Sequence, residues 1–224
     1  FITFIVLLVL GVPVAFSIVL SSVAVMAKGD VPLLMIVQRM FASADSFSLI
    51  AVPFFIFAGD LMAKGKVSKV LVEFAEALLG MIKGGLSIVS VLAGMFFAAI
   101  SGSGAATTAA VGATLIPELK KRGYNEEKSA ALIAAAGTIG VVIPPSVPMV
   151  LYAVIAEQSV NTLFKNGFVP GVLMGVILIA ISLYEAHKKN YPKGAAFSFK
   201  NVAKTFIKAI WGILMPLIIL GGIF

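Results

Sequence analysis

Ser101-Gly102-Ser103-Gly104-Ala105-Ala106-Thr107-Thr108 is small and polar, and it interrupts two apolar runs, 84–100 before it and 109–116 after it. Each arm is shorter than the roughly 20 residues that a membrane-spanning helix needs. The pattern predicts a re-entrant hairpin over 84–121, entering and leaving on one side. Backbone that is not helical persists at membrane depth only where it lines a cavity or is buried in protein. A tip of glycine, serine and threonine therefore reads as a binding site. A second break follows in Gly137-Thr138-Ile139-Gly140-Val141-Val142-Ile143-Pro144-Pro145-Ser146-Val147-Pro148. It is expected to be unwound from Gly137 onward and to meet the first.

Composition agrees with a membrane setting. Hydrophobic residues make up 60% of the 224 and the mean hydropathy is +1.10, far above the roughly 45–50% apolar content of soluble domains. Long apolar runs predict an all-α polytopic membrane protein; a β-barrel would show short alternating strands. The net charge of +7 is spread over connections between apolar runs. That makes it a topology signal, with no nucleic-acid partner. Without cysteine, the redox compartment stays open. The chain starts at Phe1 and stops at Phe224 inside the apolar run 210–224, so the expectation is a part of a larger protein.

In chain order, 2–27 is long enough to span, with a kink at Gly11-Val12-Pro13. Residues 28–45 are mixed and suit the interface. A second apolar segment, 47–62, is kinked at Pro53 and carries Asp60. The stretch 66–83, with Lys66, Lys69, Glu73 and Glu76, is amphipathic and either crosses the membrane or lies along it. Residues 1–83 thus read as scaffold-type helices and an amphipathic arm, and 84–187 as a transport-type segment. The latter comprises the hairpin 84–121, a broken helix 125–157 with Asn125 as N-cap, and a helix 161–187. A basic connection, 188–208, holds six lysines and no acid. The basic stretches 120–128 and 188–208 are separated by two spanning segments and must share a side, which is cytoplasmic by the positive-inside rule.

No charged residue lies between Lys83 and Glu118, or between Lys128 and Glu157. The two breaks therefore offer neutral oxygens: the hydroxyls of Ser101, Ser103, Thr107, Thr108, Thr138 and Ser146, and freed carbonyls. Such oxygens suit a hard cation, and the two helix starts after the breaks present positive ends to an anion. Proton coupling normally uses an intramembrane carboxylate or histidine; neither break has one, which favours sodium. The candidate sodium and substrate site is Ser101, Gly102, Ser103, Gly104, Thr107, Thr138, Gly140, Ile143, Pro144, Pro145 and Ser146. The ion is assigned to Ser103 and the carbonyls of Gly140 and Ile143, with no other cofactor.

Gly102-Ser103-Gly104 loosely resembles a nucleotide-phosphate loop, but no strand precedes it. Gly94 and Gly112 read as packing positions. Asp60 reads either as functional or as an ion pair with Lys64, and His187 as a loop residue. An intramembrane enzyme needs a nucleophile–base pair or metal cluster; the chain has no cysteine and its single histidine lies in a basic stretch, which points away from an enzyme. A channel filter also uses carbonyls.

The chain resembles the large membrane subunit of TRAP (tripartite ATP-independent periplasmic) transporters. The likeness is carried by Gly11-Val12-Pro13-Val14-Ala15-Phe16, Ala51-Val52-Pro53-Phe54-Phe55-Ile56-Phe57-Ala58-Gly59-Asp60-Leu61-Met62 and Ser101-Gly102-Ser103. Ile116-Pro117, Lys121-Arg122-Gly123-Tyr124, Thr138-Ile139-Gly140 and Ile143-Pro144-Pro145-Ser146 extend it, as do Pro148-Met149-Val150-Leu151-Tyr152 and Gly167-Phe168-Val169-Pro170-Gly171. The resemblance implies a sodium-coupled importer of organic acids, of the sialic acid or C4-dicarboxylate type, in the bacterial inner membrane. It implies a periplasmic substrate-binding protein and a small four-helix membrane subunit as partners. It also implies two inverted repeats moving as an elevator, with this chain as the first repeat and the start of the second at 209–224. An inverted second repeat needs an odd number of crossings, which favours 66–83 crossing and a periplasmic Phe1. Ala106 and Thr107 depart from the family, where acidic or bulkier polar groups are frequent. A sodium-coupled carboxylate carrier working without a binding protein is the alternative.

Overall fold

The computed structural model describes residues 1–29, 31–32, 34–45, 47–65, 67–194 and 196–223. Lys66 and Phe224, named above at segment ends, lie outside the described residues. Every regular element among the described residues is an α-helix. The chain divides into two units, Phe1–Phe47 and Ser48–Phe224.

The first unit holds α1 (Ile2–Val9), α2 (Val14–Lys28) and α3 (Leu34–Ala44). The expected kink at 11–13 is a full break. Gly11 adopts φ +80°, and Pro13 supplies no N–H to the turn before it. Ser17 folds back on this turn, its Oγ donating to the carbonyl of Val12 at 3.2 Å.

The second unit holds α4 (Phe47–Lys64, beginning at the border), α5 (Val67–Leu79), α6 (Gly85–Ser101), α7 (Gly104–Lys121), α8 (Glu126–Val142), α9 (Val147–Ile155), α10 (Val160–Lys188) and α11 (Phe199–Ile223). Its core lies between α5, α6, α7 and α8, and Phe97, Leu115, Leu119 and Ile133 are almost fully enclosed there. Within lipid such packing draws on dispersion and close fit, because lipid tails are as apolar as leucine.

α10 and the stretch Phe199–Ile219 of α11 are each long and apolar enough to cross a membrane. The pair α8 and α9, bent by 43° at its break, also passes that test. α5 has 13 residues, about 20 Å at 1.5 Å per residue. That falls short of a bilayer core of about 30 Å, so this helix alone does not make the crossing expected of 66–83. It packs through Leu71, Val72, Phe74 and Ala75, which are buried.

α6 and α7 form a hairpin whose two open ends lie together. Gly84, before α6, takes φ +71°, and a Cβ there would meet that of Ala186 at 2.1 Å; both conditions exclude a side chain. Its N–H donates to the carbonyl of Pro192, and that of Gly194 to the carbonyl of Gly80 at 2.7 Å. The rings of Tyr124 and Tyr191 stand 4.2 Å apart, and Lys128 pairs with Glu185 at 2.6 Å. Arg122, after α7, holds Glu76 at 2.5 Å and Glu118 at 2.9 Å. Burial opposes the charge on Arg122, but the hydrogen bonds to Glu118 and Glu76 outweigh it and raise the guanidinium above its ordinary range. The basic stretches 120–128 and 188–194 are therefore side by side at one end of the unit.

α11 begins ten residues before the expected start at 209. Lys200, Lys204 and Lys208, assigned above to a connection, lie inside this helix.

Candidate functional site

The hairpin turns in two residues. α6 ends on Gly102, whose φ of +59° is left-handed. Ser103 is extended and caps α7, its Oγ accepting from the N–H of Ala106 at 3.4 Å. Three hydroxyl-bearing residues gather here. Ser101 Oγ lies 2.9 Å from Thr107 Oγ1, and the Ser103 carbonyl accepts from Thr107 Oγ1 at 2.8 Å and from Ser101 Oγ at 3.2 Å. Ser101 and Thr107 are buried, and Ser103 is half-buried.

The downstream break is shorter than expected. α8 runs through Gly137 and Gly140 to Val142, so these glycines are helical and not unwound. The irregular residues are Ile143, Pro144, Pro145 and Ser146, all buried, with a cis bond between the prolines. Pro144 has no N–H, so the carbonyl of Gly140 loses its helical donor. Pro145 likewise leaves the carbonyl of Val141 without a backbone donor, and Ser146 Oγ donates to it at 2.7 Å. The same Oγ caps α9, accepting from Met149 at 3.4 Å.

The two breaks touch. The N–H of Val147 donates to the carbonyl of Gly102 at 3.2 Å, and a Cβ on Gly102 would lie 2.7 Å from the Pro145 carbonyl oxygen. Behind this contact α7 lies directly on α8. A Cβ on Gly104 would reach the Gly137 carbonyl oxygen at 3.0 Å, and one on Gly140 would reach Thr107 Oγ1 at 3.1 Å and the Ser103 carbonyl carbon at 3.3 Å. Two helix C-terminal ends and two N-terminal ends thus converge at one uncharged point, the latter each equivalent to roughly half a positive charge. On the far side, α10 presents Gly167, Gly171 and Gly175 at four-residue spacing. Cβ atoms on these would strike the Val142 carbonyl, Ile143 and Met95 at 2.6 Å or less.

The structure thus brings together Ser101, Gly102, Ser103, Gly104, Thr107, Gly140, Ile143, Pro144, Pro145 and Ser146. It does not bring in Thr138, whose exposed hydroxyl donates to Ala135 at 2.7 Å. The inward stripe of α8 is Ile133, Ala136, Gly137 and Gly140, at helical spacing, and Thr138 falls off it. Gly94 packs as expected, with a Cβ 3.0 Å from that of Ala136; Gly112 has only ordinary contacts.

A groove of about 590 Å³ opens beside the tip, lined by Gly59 and Asp60 of α4, Ser68 of α5, Ser101, Ser103 and the small-residue face of α7. Its volume falls within the roughly 300–1,000 Å³ of small-molecule sites. Gly59 packs on the tip backbone, since a Cβ there would lie 3.3 Å from Ser101 Cα. Asp60 pairs with Lys64 at 2.7 Å, and both are exposed. Sequence reading did not anticipate this groove. Alanines 106, 109, 110 and 113 gain a role only once α4 faces them.

A bundle of apolar helices with a hairpin tip seated on a broken helix is the architecture of an integral membrane protein. Residues 1–224 match the family described as "Tripartite ATP-independent periplasmic transporter, DctM component", and the chain belongs to that family. It is 45% identical to the "Isethionate TRAP transporter permease protein DctMQ" of Oleidesulfovibrio alaskensis, over 97% of this chain and 34% of that protein. It is 42% identical to the "C4-dicarboxylate TRAP transporter large permease protein DctM" of Vibrio cholerae, over 100% of this chain and 50% of the relative. Identity to the "Sialic acid TRAP transporter permease protein SiaT" of Haemophilus influenzae is 35%, over 98% and 36%. The chain spans between about a third and a half of these relatives' lengths. They are named as transporter permeases, not as enzymes.

Proposed function

We propose that the full protein is the large permease of a sodium-coupled importer of an organic acid in the bacterial inner membrane. The observation that carries this reading is the contact between the hairpin tip and the 143–146 break. At that junction the hydroxyl and carbonyl of Ser103, the Gly140 carbonyl and the Ser101 and Thr107 hydroxyls are neutral oxygens suited to a hard monovalent cation. Sodium is assigned to these oxygens and to the Ile143 carbonyl. The organic acid is assigned to the adjoining groove, facing the N-terminal ends of α7 and α9. The relatives' names point to a carboxylate or sulfonate substrate. No cofactor enters the scheme.

The adjacent basic stretches support placing the open end of the hairpin in the cytoplasm. A periplasmic binding protein delivers the substrate, and a small four-helix subunit supports the permease. The hairpin and broken helix ride together as the moving part of an elevator, completed by an inverted second repeat. Uptake of candidate acids by the full-length transporter in proteoliposomes tests the scheme. Accumulation should follow an inward sodium gradient and require the binding protein. Accumulation driven by protons without sodium would overturn it.

A further inference from the structure

Away from the hairpin tip, α5 and α11 enclose a groove of about 340 Å³ with opposite charges on its two walls. α5 contributes Glu73 and Glu76, and α11 contributes Asn201, Lys204, Thr205 and Lys208. Glu76 is already held by Arg122. No ion pair among the described residues engages Glu73, Lys204 or Lys208, so the walls carry charges that do not neutralise each other directly. The groove lies where α11 passes from its lysine-bearing turns to the apolar run after Ala209, which is headgroup depth for a helix of this composition. Trp211, one turn beyond Lys208, is 77% exposed and Ile207 is 69% exposed. They offer an apolar surface below the charged one.

We propose that this groove binds the headgroup of an aminophospholipid from the surrounding leaflet. The two lysines hold the phosphate, Glu73 accepts hydrogen bonds from the primary ammonium, and the acyl chains run along Ile207 and Trp211. A phosphate alone explains the lysines but not the carboxylate across from them; a primary ammonium beside the phosphate engages both walls. A choline headgroup satisfies the charge but donates no hydrogen bond to Glu73, and a glycerol headgroup leaves Glu73 without a cation.

The test is lipid retention by the full-length transporter, extracted from nanodiscs of phosphatidylethanolamine, phosphatidylcholine or phosphatidylglycerol and read by native mass spectrometry. The ethanolamine lipid should be retained preferentially. Glu73→Gln should reduce that preference roughly tenfold, the effect of one charge-assisted hydrogen bond. Lys204→Gln with Lys208→Gln should weaken retention of all three lipids, whereas Lys204→Arg should keep it, which separates binding from misfolding. Equal retention of the three lipids by the unaltered protein, or an unchanged preference in Glu73→Gln, would overturn the proposal. So would crosslinking from Glu73→Cys to chain beyond residue 224, which would mean that protein fills the groove.

Discussion

At the residue scale, Gly102 leaves little room for change at the hairpin tip. Its left-handed backbone disfavours any L side chain by roughly 1–2 kcal/mol, and a Cβ would press on the Pro145 carbonyl oxygen at 2.7 Å. Gly102→Ala is expected to lower the melting temperature of the purified transporter and to abolish sodium-dependent uptake. Ser103 separates two roles. As N-cap of α7 its loss costs about 0.5–2 kcal/mol of stability; as an oxygen of the sodium site it matters further. Ser103→Ala should lower the apparent sodium affinity roughly tenfold or more, the worth of one hydrogen bond to a charged group. A stability loss with unchanged sodium dependence would leave only the cap. Ser101 and Ser103 were legible because polar residues stand out in an apolar run. Thr138 stands off the face of α8 that packs on the tip, because the 3.6-residue period and not nearness in sequence decides which residues face it.

Among the helices, the glycines decide how closely elements approach. Gly171 faces Ile143 with a Cβ distance of 2.4 Å. Gly171→Val should push α10 off the break, costing about 1–3 kcal/mol by overpacking, and should weaken sodium binding as well. Gly94→Ala, on the α6–α8 contact, should lower thermal stability and leave sodium affinity intact. Melting curves at several sodium concentrations distinguish the two. Sequence reading located the break because Pro144 and Pro145 must remove backbone donors. It overextended that break to Gly137 because a helix in lipid satisfies its backbone internally and retains glycines, which then serve close packing. The α4–α7 groove left no trace in the sequence, since alanines specify nothing until a partner helix faces them.

For the whole molecule, the two basic stretches meet through Tyr124 and Tyr191, and Lys128 pairs with Glu185 at the end of α10 just before the second stretch. In the full-length transporter, single cysteines at Lys121 and Lys193 should be labelled by impermeant maleimide from the cytoplasmic side only. Labelling of either from the periplasm alone would contradict the orientation. That the two stretches share an end followed from counting the segments between them. The early start of α11 did not, because Lys200, Lys204 and Lys208 read as a solvated run until their four-residue spacing is laid on a helix.

The central claim is that hairpin tip and helix break form one sodium site, and a double-variant cycle on apparent sodium affinity in the full-length transporter tests it most directly. Ser101→Ala removes an oxygen from the tip side, and Pro144→Ala restores an N–H that competes for the Gly140 carbonyl. If both act on one ion, each should weaken sodium, and the pair should depart from additivity by at least about 0.5 kcal/mol. Additive effects, or sodium affinity unmoved by either substitution, would contradict the account.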